Sequence, residues 1–299
     1  MITSVFSTSY STCYAKRGGN NKVPEILTYS FVKLGVLCAL ILAGIHAYLG
    51  FHVVSRGVIF VDLSLAQVSA LGAVLAMVLG FEEGPARYLI SLAFTFFGAL
   101  VITIARTRDE RVPQEAFIGI VYAGSAALAV LLLAHQPHGK EEIDHMLAGS
   151  LLTVTPQELA KIAVLYAIIG LFHYAYRTKF MLISADRGEA VRRGYNVLGW
   201  DFLFYTSFAV VVTSSVAIAG VLLVFSLLVI PPVTALLLTR KAGARLALGW
   251  GTGLLGSVVG IVASAEMDLP AGPSVMTALV LILVGTSIAV ALGRVRSGH

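Results

Sequence analysis

Runs of about twenty apolar residues recur along almost the whole chain, at roughly 31–51, 57–80, 88–105, 116–134, 158–176, 202–218, 220–239, 246–264 and 274–292. At ~1.5 Å of rise per residue, each run is long enough to cross the hydrocarbon of a bilayer as one helix. Lipid offers no hydrogen bonds to a bare backbone, so helices are the form these runs must take. Composition agrees: 58% of the residues are hydrophobic and 12% charged, against about 25% charged in a soluble domain. The expectation is an all-α polytopic membrane protein with about eight or nine transmembrane helices. The block 202–239 is too long for one crossing, and Gly220 offers the turn that makes two helices of it.

The first 25 residues are polar, carry Lys16, Arg17 and Lys22, and lack the apolar core of a signal peptide. They read as a disordered extension, leaving 26–299 as a single transmembrane domain. The net charge of +5 is no sign of nucleic acid, because the basic residues sit in short links between apolar runs, where they set topology. With the 177–201 link cytoplasmic, Arg56, the Arg106/Arg108/Arg111 group, Arg240, Lys241, Arg245, Arg294 and Arg296 share its side. The opposite links keep only Arg87 and Lys140. Nine spans then place the basic tail outside, against the rule, which makes the tail a weak determinant. Cys13 in the tail and Cys38 in an apolar run give neither a disulfide framework nor a thiolate pair for a metal. Gly249, Gly253, Gly256 and Gly260 recur at four- and three-residue spacing and suit close helix packing inside one subunit.

Polar residues inside apolar runs are expensive unless something uses them. The run 57–80 carries Asp62, Ser64 and Gln67, and the preceding run carries His46. His46 and Asp62 lie at similar depth on consecutive spans, counted from the link at Arg56, so contact between them is possible. The structural alternatives are an Asp62–Arg56 pair and a hydrogen bond from His46 to a nearby carbonyl. Asp62 and Gln67 point roughly 140° apart on a helix, so a site here needs His46 or a second subunit.

Two links do more than connect. In the 177–201 link, Ser184 is a plausible cap, Asp186 and Glu189 follow in the first turns, Arg192 and Arg193 in the last, and Gly194 stops the helix. That order predicts a short cytoplasmic helix near 184–194, either an interfacial anchor or a docking element for a soluble partner. The outer link gathers His135, His138 and His145 with Glu141, Glu142 and Asp144. Imidazole and carboxylate suit a divalent metal, and the loop could collect cations, although Pro137 and Gly139 disfavour a rigid site.

Four segments resemble the permease subunits of zinc and manganese ABC transporters, the metal ABC-3 family, across about 31–292. They are Gly50–Gly57 leading through Asp62 to Gly72, Met146-Leu-Ala-Gly149-Ser-Leu-Leu152, Asp186–Gly194 followed by Gly220 through Pro231-Pro232-Val-Thr-Ala235, and Ser264–Pro273. Gly72, Gly220, Pro231 and Pro232 would shape the helices. The resemblance implies an importer permease fold and a homodimer in the bacterial cytoplasmic membrane. It implies alternating access for a divalent metal, zinc or manganese with iron as a further candidate, carried as cargo with no permanent cofactor. A cytoplasmic ATPase would dock on 186–194 as the coupling helix, and an extracytoplasmic metal-binding protein would deliver the ion. The family's Asp-x-x-x-His motif is altered: Gln67 stands at its His, and Leu63 at its Asp, with Asp62 one position away.

No Gly-x-x-x-x-Gly-Lys-Ser/Thr loop occurs, so ATP must be handled by another chain. Gly-x-Ser-x-Gly and His-Glu-x-x-His are also absent, which disfavours an intramembrane enzyme built on Ser150 or His173. Two other readings stand beside the importer: an ABC permease for a metal chelate, and a gradient-driven secondary transporter with Asp62 as its ion site. The latter lacks the internal repeat such folds often show.

Overall fold

The computed structural model describes residues 29–81, 84–105, 114–134, 136, 139–149 and 151–296. The polar tail and the Arg106/Arg108/Arg111 group lie outside them. The helices are α1 Ser30–Ser55, α2 Val61–Val78, α3 Pro85–Ala105, α4 Gln114–Leu133, α5 Gly139–Ala148, α6 Pro156–Ala175, α7 Arg177–Ala185, α8 Arg187–Arg192, α9 Val197–Leu238, α10 Ala242–Met267 and α11 Ala271–Arg296. Eight of them are long and apolar enough to cross a membrane, all but α5, α7 and α8.

The longest, α9, has 42 residues and one non-helical position, Gly220, at φ 73° and ψ 163°. Asp201 near its start is paired with Arg56, just past α1. Pro232 near its other end lies against Gly50, within the last turns of α1. A straight helix would hold Asp201 and Pro232 ~46 Å apart, whereas Gly50 and Arg56 are separated by only ~9 Å of helix. The chain therefore turns back at Gly220, and each half is long enough for one crossing. This is the two-helix reading of the 202–239 block, which makes nine membrane-length segments among the described residues.

Two backbones cross at that corner. A Cβ on Gly220 would sit 2.5 Å from the Gly149 nitrogen and 2.6 Å from the Leu147 oxygen. Gly149 is itself at φ 67°, so both residues need the freedom of glycine. On the returning half, Pro232 lacks the N–H that would occupy the Leu228 carbonyl. That carbonyl faces Gly50, where any Cβ would collide with it. The proline thus supplies an acceptor and the glycine the space for it, which lets α1 and α9 touch backbone to backbone.

The glycine ridge of α10 packs inside the chain, as its spacing suggested. Gly249 meets the Phe51 ring, Gly253 meets Ala43, Gly256 meets Leu279 and Gly260 meets Val275. Gly72 brings α2 against α3, where an added Cβ would lie 2.8 Å from the Ser91 Cα. Ser69 and Ser91 share a 2.9 Å hydrogen bond at the same crossing.

Arg56, Ser184, Arg187 and Asp201 gather at one end of the bundle, and Arg240 and Lys241 follow the returning half of α9 toward it. At the other end Gly35 meets Leu151 and Leu152, and Arg87 on α3 pairs with Glu142 on α5.

Candidate functional site

The link between α1 and α2 is short and tightly held. Gly57 turns at φ 67°, and the Ile59 amide donates to Glu115 Oε1 at 2.9 Å, so the base of α4 fixes the start of α2. Asp62 then falls in the first turn, where the free N–H groups of a helix favour negative charge. Its side chain is fully buried, and neither carboxylate oxygen has a hydrogen-bond partner among the described residues. The hydroxyl of Ser64, also fully buried, has none either. Gln67 is buried one to two turns further on.

His46 is fully buried on α1, and its Nδ1–H donates to the Leu42 carbonyl at 2.8 Å. A carbonyl can only accept, so in the neutral ring Nε2 keeps its lone pair; it has no partner among the described residues. This is the carbonyl-bonded alternative of the two readings for His46. No hydrogen bond or ion pair joins His46 to Asp62. Both helices pack on α9, but their other neighbours differ: α2 packs on α3 and α4, whereas α1 packs on α6, α7 and α10. The Asp62–Arg56 pair does not form, because Arg56 is turned toward Asp201.

An uncompensated carboxylate inside a protein costs several kcal/mol. A fold that keeps one has a position at which a cation or a proton is stabilised. Among the described residues no three His, Cys, Asp or Glu side chains converge, so these residues of one copy build no closed metal cage of the kind a structural zinc needs. Of the outer histidines, His135 and His138 lie outside the described residues, and His145 is exposed on α5.

The cytoplasmic-helix expectation needs correcting in its detail. The segment forms two short helices, α7 and α8, broken at Asp186 (φ −148°, ψ 93°), whose side chain accepts from the Glu189 amide at 2.9 Å and caps α8. Ser184 is not the cap. It lies buried in the last turn of α7, where its hydroxyl accepts from Arg56 Nε at 2.9 Å and shares a 2.9 Å hydrogen bond with His52 Nδ1. On the surface of α8, Glu189 takes ion pairs from Arg192 at 2.7 Å and Arg193 at 2.8 Å. The hydrogen bonds from Arg193 and then Arg192 hold its carboxyl below the usual value, and Gly194 ends the segment at φ 76°.

Sequence reading missed Asp201, which stands at the polar edge of an apolar run. One of its oxygens receives Arg56 Nη1 at 2.7 Å and the other Arg187 Nη1 at 2.5 Å. The Arg56 guanidinium lies 4.0 Å over the Phe204 ring. Next to it, His173 stacks on Phe180 at 4.5 Å and bonds to Ser207 through Nε2 at 2.8 Å. The signal was an isolated acid four residues ahead of a Tyr at the mouth of a span, too common a pattern to stand out.

Among the described residues, eight helices of membrane-crossing length and composition, one of them turned back on itself at Gly220, define a multi-pass membrane protein. The chain belongs to the ABC 3 transport family, which it matches over residues 28–290. It is 26% identical over 256 residues to a Haemophilus influenzae protein named "Probable iron transport system membrane protein", covering 84% of this chain and 91% of that one. It is 23% identical over 253 residues to the manganese transport system membrane protein MntC of Halalkalibacterium halodurans, covering 84% and 85%. Among solved structures, PsaBC from Streptococcus pneumoniae in complex with Fab shares the fold, with a TM-score of 0.75 at 19% identity over 88% of this chain and 93% of that one.

Proposed function

We propose that the chain is the membrane subunit of an ATP-driven importer of a divalent transition metal, manganese or iron foremost and zinc next, in the bacterial cytoplasmic membrane. Two copies pair around the path, a separate cytoplasmic ATPase docks on α8, and an extracytoplasmic metal-binding protein delivers the ion at the Arg87–Glu142 end. The observation that carries this reading is Asp62: a fully buried carboxylate with no hydrogen-bond partner among the described residues, on an enclosed helix of a chain whose relatives are named for metal transport.

Transport chemistry here is brief charge compensation. Asp62 offers two hard oxygens, which suit a manganese or ferrous ion, with Ser64 close along the helix and Gln67 further along it. The loose ligand set favours release, since an ion held in a full cage would not leave. In the neutral ring of His46, Nε2 is an available donor deeper in α1. The same sparseness supports passage of a metal chelate as the second reading, because Gln67 stands where the family's histidine is expected.

Elemental analysis tests the reading. Cells lacking the gene, grown under manganese, iron or zinc limitation in turn, should lose accumulation of one metal and regain it with the wild-type gene. Equal levels of all three metals with and without the gene would overturn it.

A further inference from the structure

At the Arg56 end of the bundle, one acid ties together elements far apart in sequence. Asp201 is 1% exposed, and each of its oxygens is taken by a different arginine. Arg56 caps α1, fully buried in its side chain, and Arg187 is the first residue of α8. Ser184 on α7 adds a second tie, to Arg56 and His52 together. Four elements (α1, α7, α8 and α9) thus meet in one charge-assisted network, buried at Arg56 and Asp201 and partly open to solvent at Arg187.

We propose that Asp201 is the pin of a mechanical joint through which movement of α8 reaches the α1–α2 link and Asp62, with Arg187 and Arg56 as its two arms. The proposal rests on the reading that a motor acts on α8, and it names the residues that carry the stroke. Only five residues separate Arg56 from Asp62. The first of them, Gly57, turns the chain at φ 67°, and its amide and that of Val58 bond back to the Val54 and Val53 carbonyls, so the link is fixed to the end of α1 and moves with Arg56. Beyond it the Ile59 amide is held by Glu115, so a pull on Arg56 is resisted there and loads the 57–62 link and the first turn of α2.

Stability alone explains this network poorly. A buried ion pair gains little over well-packed apolar residues, because desolvation offsets the attraction. Charge-assisted pairs with fixed geometry do hold register and direction in a way apolar contacts do not, and a transmitting joint needs that property.

Hydrogen exchange on the purified full chain tests the joint without motor or cargo. Arg187→Gln cuts the α8 arm and leaves the buried Arg56–Asp201 pair in place. It should speed exchange of backbone amides in 186–194 and also in 57–62, each by about fivefold. Arg192→Gln removes an ion pair internal to α8 and should speed exchange in 186–194 alone. Arg187→Lys, which keeps the charge but not the planar fork, should give intermediate values in both segments together. An unchanged 57–62 segment in Arg187→Gln, or a 57–62 segment equally loosened by Arg192→Gln, would overturn the joint. A wild-type chain that transports no metal would count against the proposed function and leave this comparison standing.

Discussion

The corner at Gly220 fixes the direction of half of α9, so substituting it is a sharp test of the fold. In Gly220→Ala the new methyl meets two obstacles. The backbone at φ 73° and ψ 163° lies in a region that only glycine occupies easily, at a cost of ~1–3 kcal/mol for another residue. The Cβ also arrives 2.5 Å from the Gly149 nitrogen, 2.6 Å from the Leu147 oxygen and 2.8 Å from the Ala148 carbonyl carbon. All three are backbone atoms that no rotamer change can move, and overpacking of this kind adds ~1–3 kcal/mol. Together these amount to roughly 2–6 kcal/mol, a large part of the 5–15 kcal/mol that keeps a typical protein folded. For a chain of this size the melting temperature should drop by roughly 5–20 °C. The assay is thermal unfolding of detergent-purified protein followed by size exclusion. Gly251→Ala serves as the control, because nothing lies within 4 Å of its added Cβ and alanine favours a helix; it should melt at or above the wild-type temperature. A Gly220→Ala protein melting within about 2 °C of wild type would refute the turn-back at that residue.

Two further outcomes follow from individual contacts. Tyr166, buried in α6, bonds through its hydroxyl to Ser215 at 2.5 Å and Ser214 at 3.1 Å. Both serines keep carbonyl partners on α9 without it, so Tyr166→Phe should cost only about 1 kcal/mol, read as a melting shift of about 2–4 °C in the same assay. A loss of folded protein would show that the hydroxyl holds α6 in place. At the other end of the scale, Glu189 is held below the ordinary glutamate value of 4.5 by Arg193 and Arg192. Its support of α8 is therefore complete above that value and fades as pH falls through the lowered one. Amide protection in 187–193 should weaken on acidification, and Glu189→Gln should remove that dependence; an α8 indifferent to acid in the wild type would contradict it.

The span pattern was legible because a bilayer imposes one length on every crossing, and the 202–239 block betrayed its turn by exceeding that length with a glycine at its middle. The glycine ridge of α10 was legible from spacing alone. What faces each glycine was not: Gly149 under Gly220, or Gly50 under the Leu228 carbonyl, are meetings of residues seventy or more positions apart. The link helix near 184–194 was read from charge order, and its break at Asp186 was missed because Ser184 and Asp186 are both good caps. Tertiary contact decided between them, drawing Ser184 inward to Arg56. At the candidate site, Asp62 was visible as an acid in an apolar run. Its isolation from His46 was not, since equal depth on consecutive spans says nothing about which helices pack side by side. Asp201 stayed hidden for a related reason: its meaning comes from Arg56 and Arg187, 145 and 14 residues away.

The role of Asp62 is tested most directly by ATP-driven metal uptake into proteoliposomes holding the complete transporter, with wild-type chain or Asp62→Asn. The amide keeps the shape of the carboxylate and is cheaper to bury, so the variant should be as abundant and melt no lower than wild type. Its uptake should fall by about tenfold or more, because the charge that compensates the ion is gone. Uptake within about twofold of wild type would remove Asp62 from the path and leave its burial without a use.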